Sequence, residues 1–207
     1  AEFSQRLAED NFFAMLREQG DLPFVPNSSS GSGFRTLDRS QPPVGSMVAL
    51  KIYHKYRDEK FLKKAYPHLK RWNEWFWQNR QAEKGLFAWG SAPYDPVVGN
   101  EWETNGVGNV FGASLESGMD NSPLYRGAGW NSRKNLMDMI DVGLSALFLH
   151  DCACLRDMAK LLGEKGDAAF FEERKQVCEE AFFSLWCEED GMFLNRVPHT
   201  QIFHKTR

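Results

Sequence analysis

Apolar residues recur at helical spacing in two long runs between Asp141 and Trp186. Leu144, Leu147, Phe148, Leu155, Met158, Ala159 and Leu162 share one broad face, and Gly163 follows as a C-terminal stop. The second run carries Phe170, Phe171, Val177, Cys178, Ala181, Phe182 and Leu185. A short Gly-containing turn joins them, so the pattern predicts an antiparallel helix hairpin over about 141–186. An earlier pair follows the same plan over about 44–80. Val44, Met47, Val48 and Ile52 mark one of its helices, and Leu69, Trp72, Trp75 and Phe76 mark the other, after a break at Tyr66-Pro67. Pro42 and Pro43 suit the first turn of the former. A helix around Leu7, Phe12, Met15 and Leu16 precedes both pairs and stops near Gly20. Each hairpin leaves by a similar exit, Gly85-Leu86-Phe87 and Gly191-Met192-Phe193, a weak internal repeat.

Residues 85–134, between the hairpins, are rich in Gly, Asn, Ser, Pro and Trp and poor in helical periodicity. Loops of that length inside a compact domain are usually functional. The run Pro26-Asn27-Ser28-Ser29-Ser30-Gly31-Ser32-Gly33 reads either as a second site-facing loop or as a flexible connection, since helix signals flank it without a change of composition. Helix pairs with long polar loops on one side predict an all-α toroid, in which inner helices and their loops build a central cleft.

With 207 residues, 42% hydrophobic and 14% aromatic, the chain can bury a core as one domain. Its 25 basic and 28 acidic residues are spread along the sequence for a net charge of -3, without the basic stripe that tracks a phosphate backbone, so nucleic acid is not an expected partner. Nor is a membrane, because no stretch approaches the roughly 20 consecutive apolar residues of a spanning helix. The opening Ala1-Glu2-Phe3-Ser4 lacks the basic and apolar regions of a signal peptide, which leaves the compartment open with the cytoplasm slightly favoured over the periplasm or secretion. Cys152, Cys154, Cys178 and Cys187 fall in predicted helices without the spacing of a disulfide framework or a zinc site, and are expected to be reduced and packed as small hydrophobes. No H-E-x-x-H, P-loop or dinucleotide motif occurs, so neither metal nor cofactor is expected.

The run Glu116-Ser117-Gly118-Met119-Asp120-Asn121-Ser122-Pro123 is the most informative. It sets two carboxylates four residues apart across a Gly, amid small polar residues. A carboxyl aimed from such a turn, and partly buried beside an aromatic ring, suits general-acid work. Cleaving a glycosidic bond needs such an acid on the leaving oxygen. The inverting route adds a second carboxylate roughly 6.5–9.5 Å away to activate water. From the residues alone, an Asp-Asn-Ser-Pro turn with a Gly hinge is the competing reading. Trp89, Trp102, Trp130 and Phe111 lie in the long loop, where pyranose rings stack on such side chains, whereas Trp72, Trp75, Trp77 and Trp186 fall in helices and read as core. Glu101 and Glu103 beside Trp102 read as solvated loop charges, and Glu188, Glu189 and Asp190 as a turn.

The segment from Glu116 to Pro123 resembles the signature of glycoside hydrolase family 63 and its relatives, whose E-S-G-hydrophobic-D loop carries the general acid at its Asp. Ser40-Gln41-Pro42-Pro43 is similar to that family's S-Q-P-P lead-in to an inner helix, and Asp141-Val142-Gly143-Leu144-Ser145-Ala146-Leu147 to its D-L-N-A-L helix start. The resemblance implies an (α/α)6 barrel, of which this chain holds about half, with Asp120 as general acid. It further implies Gln41 and Asn121 at the sugar, Glu116 binding sugar hydroxyls or bracing the loop, and Asp141 shaping the cleft from the next inner helix; the competing readings are Gln41 bonding loop backbone and Asp141 as an N-terminal helix charge. Gly143 stands where relatives commonly carry Asn, so no side-chain contact is expected from that position, and Leu124-Tyr125 stands where Arg or Trp is often found, which points to a different aglycone side. The family's general base is a Glu on a late barrel helix, so the remainder of the barrel is an expected partner beside the carbohydrate substrate. The implied reaction is inverting hydrolysis of an α-glucoside or α-mannoside, such as a glycosylglycerate or short oligosaccharide. A catalytically silent, helical carbohydrate-binding or assembly module is the competing expectation.

Overall fold

The computed structural model describes residues 2–205. Among them are seven α-helices rather than the five that periodicity marks, and three two-stranded ribbons. α1 (Glu2–Arg17) buries Phe12 and Leu16 against the start of the first helix pair. α2 (Gly45–Tyr56) follows the Pro42-Pro43 lead-in, and a two-residue turn brings the chain back as α3 (Glu59–Asn79). Asp58 caps α3 by accepting from the amides of Lys60 and Phe61 at 2.8 and 3.1 Å.

α3 passes through Pro67 without the expected break. A Pro inside a helix costs about 3 kcal/mol. Here the halves are held on either side: Phe61, Leu62, Ala65 and Tyr66 before it, and Leu69, Trp72, Trp75 and Phe76 after it, are all buried. Tyr66 and Lys70 also both grip Asp167 of the neighbouring helix, at 2.9 and 2.6 Å. One face packed on both sides of the proline outweighs the single lost backbone bond.

The second pair is α6 (Val142–Leu162) and α7 (Lys165–Phe182), joined by a turn at Gly163, and α6 packs on both α2 and α3. Phe76, Phe87 and Phe148 meet at the junction, with the Phe87 and Phe148 rings 4.1 Å apart. A polar knot crosses the same core: Asn73 donates to Asp151 at 2.8 Å, and Arg174 bonds Asn73 and Glu74, each at 2.8 Å.

The repeated exits form matching antiparallel ribbons, β1 (Gln81–Glu83) with β2 (Leu86–Phe87) and β5 (Trp186–Cys187) with β6 (Met192–Phe193). Trp186 and Cys187 therefore sit on a strand, not in a helix, and Trp186 is 39% exposed instead of core. The four cysteines are free and buried. The long loop is more ordered than its composition predicts: it contains α4 (Glu101–Asn105), α5 (Val110–Ser117) and the ribbon β3 (Trp130–Asn131) with β4 (Leu136–Met137). Asn100 and Asn109 cap α4 and α5 through their side-chain oxygens, the local signal that periodicity misses in helices so short. The Ser-rich run folds back on itself through bridges pairing Pro26 with Ser40 and Ser29 with Arg35. None of the described helices is long and apolar enough to cross a membrane.

Candidate active site

Asp120 stands on a turn that springs from the C-terminal end of α5. Glu116 and Ser117 are the last residues of that helix rather than part of a loop, and Gly118, at φ 70°, ends it in the left-handed conformation a side chain would resist. Ser117 Oγ accepts from the Met119 amide at 3.0 Å and donates to the Ser114 carbonyl at 2.6 Å. The Ser122 amide closes the turn on the Met119 carbonyl at 2.9 Å, and Ser122 Oγ caps the 3-10 turn Pro123–Tyr125. Asp120 and Asn121 are exposed at its crest, and Asp120 carries no ion pair among the described residues.

Beneath the crest, Glu116 is fully buried and both its oxygens are engaged. Oε1 accepts from the Ser40 amide and from Arg80 Nη2, and Oε2 from the Gly90 amide and from Arg80 Nε, at 2.7–2.8 Å throughout. One carboxylate thus joins the lead-in to α2, the end of α3, the segment that follows β2 and the helix that bears the acid turn. Gly90 is needed for that approach, because a Cβ there would lie 2.5 Å from the Asn135 carbonyl oxygen. With every lone pair committed, Glu116 is not placed to bind a sugar hydroxyl. Of the two roles expected for it, the geometry fits the brace.

The other expected sugar residues divide. Gln41 is half-buried, and its side-chain amide donates to the Asn27 carbonyl, fastening the Ser-rich loop. Asn27 in turn donates to the Leu115 carbonyl at 3.0 Å, so that loop is sewn to the root of the acid turn. Trp89 is a correction: at 2% exposure it is core, its backbone carbonyl accepting from Met137 at 2.8 Å, and its ring is closed to a pyranose. Asp141, 1% exposed, caps α6 by accepting from the Leu144 amide at 2.7 Å. Burial pushes its carboxyl above the usual carboxylate range, against the hydrogen bonds that favour the charge. Trp102 is 55% exposed and meets Phe111 edge-on at 5.0 Å, and Trp130 packs half-buried on the core. Glu103 is no solvated charge: it pairs with the buried Arg39, which also binds Asp38 at 2.8 Å.

Arg80 and Asp38 belong to no motif of the sequence, and Tyr125, expected on the aglycone side, is buried at 6% exposure. Arg80, directly after α3, and Asp38, two residues before Ser40-Gln41, carry no periodic signal, and only their buried partners reveal them. The central cleft expected of the toroid is not seen around Asp120, which is exposed among the described residues. Among the described residues, cavities of about 50 to 950 Å³ open at other places on the surface, and Asp120 lines none of these. Among the described residues one group has the ligand types of a metal site, Cys187, Glu189 and Asp190, but Lys205 Nζ already holds both carboxylates at 2.9 and 2.5 Å.

The described residues thus form paired helices joined by a long, largely polar segment. The chain belongs to the mannosylglycerate hydrolase MGH1-like glycoside hydrolase domain family, whose model matches residues 1–207. No curated protein matches the sequence. Among solved structures, the fold is similar to a family 63 mannosylglycerate hydrolase from Thermus thermophilus in complex with glucose, at TM-score 0.67 and 18% identity, covering 94% of this chain and 56% of that one. An uncharacterized conserved protein from the same organism matches at TM-score 0.66 and 19% identity, over 93% of this chain and 55% of its own. The chain thus has the fold of a family 63 hydrolase over little more than half of such a hydrolase's length.

Proposed function

We propose that this domain supplies the general-acid side of an inverting hydrolase for an α-linked glucoside or mannoside, with Asp120 as the acid. What carries the reading is the contrast within one motif: Glu116 is locked into the core by four hydrogen bonds, while Asp120, four residues on, is left free on a braced turn. Membership of a family of glycoside hydrolases supports reading a carboxyl so held as one that acts on a ligand rather than one that supports the fold.

In the proposed reaction Asp120 gives its proton to the glycosidic oxygen as the bond to the anomeric carbon breaks. Water attacks the opposite face, activated by a second carboxylate roughly 6.5–9.5 Å away. That base, and the apolar cover that keeps an acid protonated, come in this reading from segments that close over the exposed turn. A short substrate such as a glycosylglycerate or disaccharide fits the reading, because a structural relative is a mannosylglycerate hydrolase crystallised with glucose. Asp120→Asn, assayed with the rest of the barrel present, is expected to lower kcat by about 10²–10⁴ and leave sugar binding nearly intact. Proton NMR of the first product should show the anomer opposite to the substrate's. A protein that binds sugar but releases none, whether or not Asp120 is replaced, would instead be a silent binding module.

A further inference from the structure

Three buried polar atoms of side chains that act on one another have no hydrogen-bond partner among the described residues: Trp89 Nε1, Tyr125 Oη and Asp141 Oδ2. Tyr125 is 6% exposed and its hydroxyl lies beside Ser117, Trp89 and Asp141. A buried donor or acceptor left unpaired is costly, and two donors beside one free carboxylate oxygen are complementary. Their positions in the chain are telling. Ser117 is where the acid turn begins, and Tyr125 is where the 3-10 turn that follows it ends. Asp141 is doubly fixed, by the Leu144 amide at its side chain and by its own amide donating to the Phe87 carbonyl, 2.7 and 2.8 Å. Trp89 is tied through its carbonyl to Met137 at 2.8 Å.

We propose that Asp141 is a positioning residue: its Oδ2 accepts from Tyr125 Oη–H and Trp89 Nε1–H, and so fixes the turn carrying Asp120 to the first turn of α6. The turn is then held at both feet, through Glu116 and Ser117 on one side and Tyr125 on the other. A slip at either foot would move Asp120, and a misplacement of about 1 Å at a reacting group can cost a hundredfold in rate. Asp141 acts by this account without touching substrate, which differs from a direct role at the cleft wall. The inference rests on Asp120 being the acid, and its test separates the two.

Tyr125→Phe removes the hydroxyl and keeps the ring, so the fold has no cavity to absorb. In the chain itself, amide hydrogen exchange over 118–122 should quicken roughly three- to tenfold, while α2, α3 and α7 keep their protection. The Trp89 indole N–H resonance, assigned by its loss in Trp89→Phe, should shift. Asp141→Asn should give the same local loosening, and the double variant no more than either alone. With the rest of the barrel present, Tyr125→Phe should lower kcat with little change in KM. Unchanged exchange over 118–122, or acceleration spread evenly over the whole fold, would overturn the tether. If instead the turn loosens as expected but Asp120→Asn keeps normal turnover, the tether stands and the acid assignment falls.

Discussion

Replacing Glu116 by Gln tests the frame on which the site is built. The wild-type carboxylate takes four hydrogen bonds at 2.7–2.8 Å, two of them from a guanidinium that is itself 1% exposed. Gln keeps the volume but presents one acceptor and one donor, so at least one donor among the Ser40 amide, the Gly90 amide and Arg80 loses its partner. Arg80 also loses its buried counter-charge, and removing one member of a buried pair usually costs about 3–5 kcal/mol. Its remaining bonds to the Asn79 and Asp38 carbonyls, at 3.1 and 3.2 Å, and its stacking 4.4 Å over Trp75 soften that loss, which places the expectation at about 3 kcal/mol. Against a total stability of about 5–15 kcal/mol, this is a large fraction. Urea unfolding followed by far-UV circular dichroism should show the midpoint falling by roughly 1–2 M at unchanged slope. Pairing it with Arg80→Met should give a double variant less destabilised than the sum of the singles, by about 1–3 kcal/mol. Glu189→Gln, at an 83% exposed side chain, is the control and should move little. A Glu116→Gln midpoint indistinguishable from that control would refute the brace.

Asp151 is buried in the α3, α6 and α7 knot, and burial lifts its carboxyl to about 6 despite the opposing bond from Asn73. A folded-state value raised above the unfolded one gives stability that is present below about pH 4 and is lost as pH rises through about 6, at most about 3 kcal/mol. Asp151→Asn should flatten a denaturation series over that window, and an unchanged slope would remove Asp151 as its source. Gly90→Ala pushes a methyl to within 2.5 Å of the Asn135 carbonyl oxygen, and should cost about 1–3 kcal/mol by thermal melting. A melting point equal to wild type would mean that β4 yields freely.

The helix pairs were legible because their buried faces repeat over many turns. Leu144, Phe148, Leu155 and Met158, all buried in α6, stand where the periodicity puts them. Pro67 shows the limit of a local rule, since its cost is met by packing on both sides that no window around it contains. In the long loop, α5 was hidden because eight residues are too few for a period, and its cap at Asn109 was the only sign. The acid turn was visible as a motif, but which carboxylate supports and which is free was not. That distinction needs Arg80, Ser40 and Gly90 brought together from 36, 76 and 26 residues away. Trp89 misled for the same reason: a Trp amid Gly and Ser looks accessible until β4 covers it.

Leaving-group dependence tests Asp120 most directly. A general acid matters where the departing oxygen is basic, and matters little where the leaving group departs as a stable anion. With the remainder of the barrel present, Asp120→Asn should therefore cut turnover of an alkyl α-glycoside by about 10²–10⁴ while sparing most of the activity on the matching glycosyl fluoride. Equal loss on both substrates, or near-normal turnover of the alkyl glycoside, would contradict the assignment.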